Sequence, residues 1–113
     1  MALKTKFTVC SVGAGYVGSL TSIVLACYNP ESLFYVCDIN EKQVQRWRDG
    51  DLPFFEPDLE EHYLQATRQQ NIVFTSQVIE SIMESDLVYL CVNTPAKTYD
   101  KINYSSEHNL AYL

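Results

Sequence analysis

Apolar residues come along this chain in two alternating styles, short unbroken runs and longer stretches spaced by three and four. Phe7 to Val12, Leu33 to Cys37, Ile72 to Thr75 and Leu87 to Val92 are of the first kind. Runs this apolar are expected of strands covered on both faces of a parallel sheet. The first strand is read from Lys6 to Val12. Between the runs the period changes. Val17, Leu20, Val24 and Cys27 mark the inner face of a helix over Tyr16 to Tyr28, which Asn29-Pro30 stops because proline cannot continue it. Val44 and Trp47 mark a second helix, with Asn40 as N-cap, Gln43 at the capping-box position and Gly50 as a left-handed end. Leu59, Tyr63 and Ala66 define a third, reaching Gln69, with Asp58 as its cap and Glu60 and Glu61 near its positive end. Val78, Ile79, Ile82 and Met83 form the stripe of a short fourth. Strands alternating with helices predict an α/β domain whose parallel sheet carries helices on both faces.

The turn between the first strand and the first helix carries the chemistry. Gly13-Ala14-Gly15-Tyr16-Val17-Gly18 has the G-x-G-x-x-G spacing, and Asp38 ends the second apolar run twenty positions past Gly18. In this setting Gly13 allows the tight turn, Gly15 lets backbone approach a pyrophosphate, and Gly18 brings helix close to sheet. The helix start offers unpaired N–H groups and the positive end of a dipole. Asp38 is placed to accept hydrogen bonds from the adenosine ribose hydroxyls and repels a 2′-phosphate, which favours NAD over NADP. A methyltransferase also ends its second strand in an acid, but the three-glycine spacing favours a dinucleotide. The fold expected is therefore Rossmann-type, with strand order 3-2-1-4 and truncated after about four strands. In that order the loops leaving strands one and four part at the ligand crevice. Val92, Asn93, Thr94, Pro95 and Ala96 would then border the nicotinamide ribose. Between helices two and three, Asp51 to Pro57 holds two prolines and several apolar residues, a loop expected to pack against something.

Composition narrows the classes. Of 113 residues, 47% are hydrophobic and 19% charged, which is globular and no more than one small domain. The net charge of −6 comes without a basic patch and argues against nucleic acid or an anionic membrane as partner. No apolar stretch is long enough to span a bilayer, and no signal peptide is visible, so the expected compartment is the cytosol. The four cysteines, Cys10, Cys27, Cys37 and Cys91, form no C-x-x-C. They are read as buried thiols in a reducing compartment, not as a zinc site or a redox pair.

Three motifs together resemble one family. Gly13 to Gly18, Leu52-Pro53-Phe54-Phe55-Glu56-Pro57 and Val92-Asn93-Thr94-Pro95-Ala96-Lys97-Thr98 stand in the order and at about the spacing of the UDP-glucose 6-dehydrogenase family. Asp38-Ile39-Asn40 and Ser85-Asp86-Leu87-Val88 are similar to its intervening segments, and the likeness runs from about residue 5 to 99. The resemblance implies an NAD-dependent oxidoreductase that converts UDP-glucose to UDP-glucuronate, a precursor in glycosaminoglycan biosynthesis. Two NAD are used in succession, with a cysteine thiolate forming a thioester that water hydrolyses. It places Gly13, Ala14, Gly15, Tyr16, Val17 and Gly18 on the pyrophosphate, Asp38 on the ribose, and Val92 to Ala96 along the dinucleotide. Gln43 departs from an arginine common in the family, with Lys42 as a substitute, and Ala96 replaces a threonine. The family's nucleophile and its partners fall beyond this chain, so no catalytic residue is assigned to the four cysteines, to His62 or His108, or to Glu56, which is read as capping nearby amides. The chain divides into an incomplete NAD-binding domain, 1–99, and a divergent tail, 100–113, in which Ser105 or Ser106 opens a short helix. UDP-glucose would be bound only by a full-length relative. Two readings remain, the cofactor half of such an enzyme and a non-catalytic NAD(H)-binding or interaction paralogue that associates with full-length homologous subunits.

Overall fold

The computed structural model describes residues 5–92. Their elements run β1 (Thr8–Val12), α1 (Tyr16–Tyr28), β2 (Leu33–Cys37), α2 (Glu41–Asp49), α3 (Leu59–Gln69), β3 (Ile72–Thr75), α4 (Val78–Glu84) and β4 (Leu87–Leu90). The four strands form one parallel sheet in the order β3-β2-β1-β4. The last element of the sequence pattern, a helix in the tail, lies outside the described residues.

Side chains alternate across the sheet and sort its two faces. Phe34, Val36 and Phe74 enter a buried cluster with Ile23 and Ala26 of α1, Trp47 of α2 and Leu59 and Tyr63 of α3. Trp47 stacks on Phe74 with ring centres 5.3 Å apart, an aromatic contact of about 0.5–1.5 kcal/mol beyond its area. Tyr35, between Phe34 and Val36, points the other way and donates to Glu84 of α4 at 2.6 Å. α4 therefore covers the opposite face, as a right-handed crossover back from β3 to β4 requires.

Several features differ from the sequence pattern, each for a physical reason. The buried side of α1 is Gly18, Ser19, Ser22, Ile23, Ala26 and Cys27, while Val17 is 61% exposed. Small residues let this helix lie close on the sheet: a Cβ on Gly18 would stand 2.5 Å from the Gly13 carbonyl oxygen. In α4 only Ser81 is buried, and Ile79 and Met83 face outward. β1 begins at Thr8, two residues after the Lys6 start read for its strand, and β4 ends at Leu90, two residues short of Val92. Among the described residues β4 is also not buried, because it is an edge with one strand neighbour: Leu87 is 59% and Leu90 72% exposed.

The helix ends show the same mixture. Asn40 caps α2 by accepting from the Gln43 N–H at 3.1 Å, and Gly50 closes it at φ 78. The capping box is only half made, since the Gln43 side chain reaches the Ala14 carbonyl instead. Asp58 precedes α3 but makes no side-chain cap, because its backbone is left-handed at φ 68. The Leu52–Pro57 loop does pack: Phe54 lies edge-on to Trp47 and to Tyr16, with centroids 5.7 and 5.0 Å apart.

Candidate functional site

β1, β2 and β4 end side by side, and their carboxyl ends open onto a cleft of about 590 Å³. Gly13 and Gly15 from the first turn, Asp38 from the end of β2, and Val92 after β4 all border it. Such a crevice, where the strand order reverses, is where open α/β sheets receive ligands. Asn40 and Gln43 add polar groups, and Ile39 and Val78 add an apolar wall.

The glycine turn is built by close backbone approach. Gly13 sits at φ +120, and a Cβ there would lie 2.3 Å from the Cys91 carbonyl oxygen. Its N–H donates to the Cys37 carbonyl at 2.7 Å, tying the turn to the end of β2. Asp38 completes the tie, one carboxylate oxygen accepting from the Ala14 N–H at 2.8 Å and the other from the Asn40 N–H at 2.9 Å. Carboxylate oxygens carry further lone pairs, so these bonds leave acceptor capacity toward the cleft. Among the described residues the only ion pair is Arg46–Asp51 on the surface, so none of their cations neutralises Asp38.

The sequence-predicted residues separate into groups. Gly13, Gly15, Asp38 and Val92 reach the cleft. Ala14 is buried and turned inward. Tyr16 turns aside and donates to Glu56 at 2.5 Å, an interaction that raises the phenol above its ordinary pKa. Glu56 thus holds a side-chain hydroxyl and not backbone amides as expected. Val17 is exposed, and Gly18 packs beneath the turn. Asn93, Thr94, Pro95 and Ala96 lie outside the described residues. Val12, Ile39, Asn40, Val78 and Cys91 were not anticipated in the cleft, and Gln43 was noted only as standing where the family often has an arginine near the adenosine ribose. A signal for Gln43 exists in the sequence, since Gln43 and Trp47 are four apart on one side of α2.

The cysteines are free, and among the described residues no group of His, Cys, Asp and Glu is arranged to hold a metal ion. Cys10 and Cys37 bring their sulfurs to 3.5 Å. Burial, with the neighbouring thiol adding to it, pushes Cys37 up to about 12. No described helix is long and apolar enough to cross a membrane.

The observations that a dinucleotide requires are present: a glycine turn without side chains at its mouth, an acid at the end of β2, and a cleft between them. Comparison with known proteins agrees. Residues 7–112 match the UDP-glucose/GDP-mannose dehydrogenase family, NAD binding domain, thirteen residues beyond position 99. The chain is 43% identical over 91 residues to a UDP-glucose 6-dehydrogenase of Bos taurus and 42% identical over 91 residues to one of Pongo abelii. Each match covers 80% of this chain and 18% of the relative. A solved UDP-glucose dehydrogenase from the archaeon Pyrobaculum islandicum superposes with a TM-score of 0.72 at 27% identity, over 79% of this chain and 20% of that one. The chain thus spans about a fifth of the length of the relatives it matches. A glycine turn pinned to Asp38 above a 3-2-1-4 parallel sheet, with this family match along nearly the whole sequence, makes the chain a member of the UDP-glucose/GDP-mannose dehydrogenase family, of which it is the NAD-binding portion.

Proposed function

We propose that the cleft takes NAD with its adenosine ribose on Asp38, its pyrophosphate against Gly13 to Gly18, and its nicotinamide ribose along Val92, Asn93, Thr94, Pro95 and Ala96. The observation that carries this reading is Asp38, which borders the cleft while holding the Ala14 amide of the glycine turn at 2.8 Å. When bound, NAD supplies the hydride acceptor for oxidation of an alcohol. The residues of this chain bind and orient it. Residues 1–99 act as the cofactor domain and 100–113 as a tail in this reading.

The activity in which this domain takes part is oxidation of UDP-glucose to UDP-glucuronate by two NAD, in the cytosol and in supply of glycosaminoglycan synthesis. No residue of these 113 is assigned a catalytic role. UDP-glucose belongs to a full-length relative. The test titrates the pure chain with NAD and NADP, and assays it for NADH formation with UDP-glucose. Expected are weak NAD binding, much weaker NADP binding that improves in Asp38→Asn, and no turnover. Turnover by the chain alone would overturn the assignment of chemistry elsewhere, and equal affinity for NADP would overturn the role of Asp38.

A second reading has one observation in its favour, the apolar edge of β4 that no other described residue covers. It is a non-catalytic NAD(H)-binding chain that associates with full-length homologous subunits. Co-purification with such a subunit, lost on Leu90→Lys, is the result it requires.

A further inference from the structure

The Ala14 carbonyl accepts two side-chain hydrogen bonds from α2, from Gln43 Nε2 at 3.0 Å and from Trp47 Nε1 at 3.0 Å. Its own N–H is held by Asp38 at 2.8 Å. Both ends of one residue in the middle of the glycine turn are thus gripped by three side chains from β2 and α2. A trans peptide is planar, with its C=O and N–H pointing in opposite directions, and no described peptide here is cis. The Ala14 carbonyl belongs to the same plane as the Gly15 N–H. Fastening that carbonyl toward the buried Trp47 therefore aims the Gly15 N–H away from the core, on the side where Gly15 borders the cleft.

We propose that Gln43 is a positioning residue for the dinucleotide: through the Ala14 carbonyl it sets the direction of the turn amide that meets the pyrophosphate. The role rests on the NAD reading above. Trp47 supplies the other half of the clamp but also anchors the core through Phe74, so its loss confounds clamp with fold. Gln43 is half-buried and borders the cleft, so it can be changed without opening the core. Its neutral amide donates to the carbonyl without adding a positive charge to the phosphate site. Losing one such bond from a turn that must be ordered for binding corresponds to roughly a tenfold change in affinity.

The test uses the whole chain in dilute solution, with Trp47, its one tryptophan, as the fluorescence signal. Ligands are NAD, ADP-ribose and adenosine, and variants are Gln43→Leu, which removes the donor, and Gln43→Lys, which keeps one. Amide hydrogen exchange across residues 10–20 is measured without ligand. Expected for Gln43→Leu are roughly tenfold weaker NAD and ADP-ribose, unchanged adenosine, and faster exchange in the glycine turn. Gln43→Lys recovers the exchange protection and most of the affinity. Equal weakening of all three ligands would mean that Gln43 touches adenosine directly, and overturns the positioning role. Unchanged NAD affinity in Gln43→Leu overturns it too, while leaving the NAD reading standing. Wild-type chain that binds neither NAD nor ADP-ribose at millimolar concentration overturns the NAD reading and, with it, this role.

Discussion

Asp38 joins two elements and faces a third region at once, so its loss reaches beyond any ligand. Removing a carboxylate that accepts two backbone N–H groups strands donors at the mouth of the fold. Asp38→Ala should cost about 2 kcal/mol in urea unfolding, with Asp38→Asn costing less because its amide oxygen still accepts. Cys37 makes an opposite case, a group buried as a neutral thiol. Its native pKa of about 12 lies above the ordinary thiol value of 9.0. The stabilising effect is whole below pH 9 and is lost between 9 and 12, where the unfolded thiol gives up its proton first. Stability should accordingly fall above pH 9, and less steeply in Cys37→Ala. A disulfide reagent at pH 8 should leave Cys37 unlabelled in the native chain and label it in urea. The acid at the end of β2 was legible from its spacing to the glycines. That it grips the Ala14 amide was not, because those two residues stand 24 positions apart and meet only in the folded chain.

α3 begins and ends on left-handed backbone that glycine would occupy at lower cost. Asp58 stands at φ 68 and Gln70 at φ 62, and neither is glycine. Asp58→Gly and Gln70→Gly should each raise stability by about 0.5–1 kcal/mol in denaturant melts, whereas Gly50→Ala, at φ 78, should lower it by about 1 kcal/mol. Spacing alone predicted the span of α1 but not its buried face. Periodicity weighs hydropathy, and Val17 and Val24 outscore Gly18, Ser19 and Ser22. Close approach to a sheet instead selects for size, and Ser22 also finds partners there in the Gly18 carbonyl at 2.7 Å and the Tyr89 hydroxyl at 2.5 Å. The stripe of α4 was misread for a related reason, since a helix with one sheet beneath it buries a narrower strip than its apolar residues suggest.

Across the whole molecule, covering is uneven. Among the described residues, three helices and their aromatic cluster cover one face over β1 to β3, while α4 alone covers the other and β4 is open at its edge. The Cys91 N–H bonds back to Val12 at 2.8 Å, so by alternation the backbone groups of Val88 and Leu90 point outward, beside exposed Leu87 and Leu90. Sedimentation should show concentration-dependent self-association of the isolated chain, reduced by Leu90→Lys. A monomer with a sharp, reversible melting transition raised several degrees by NAD would contradict this. Four apolar runs, the intervening periods, the glycine spacing and Asp38 were enough on their own to determine the α/β class, the strand order and the cofactor type, because each is a local pattern that a parallel sheet makes unavoidable. Only tertiary structure decided that Ala14 turns inward between Asp38, Gln43 and Trp47, that Tyr16 leaves the turn for Glu56, and that β4 lies bare among the described residues. Those outcomes depend on residues 24 to 40 positions apart meeting in space, or on the lack of a neighbour, and neither is written in any local spacing.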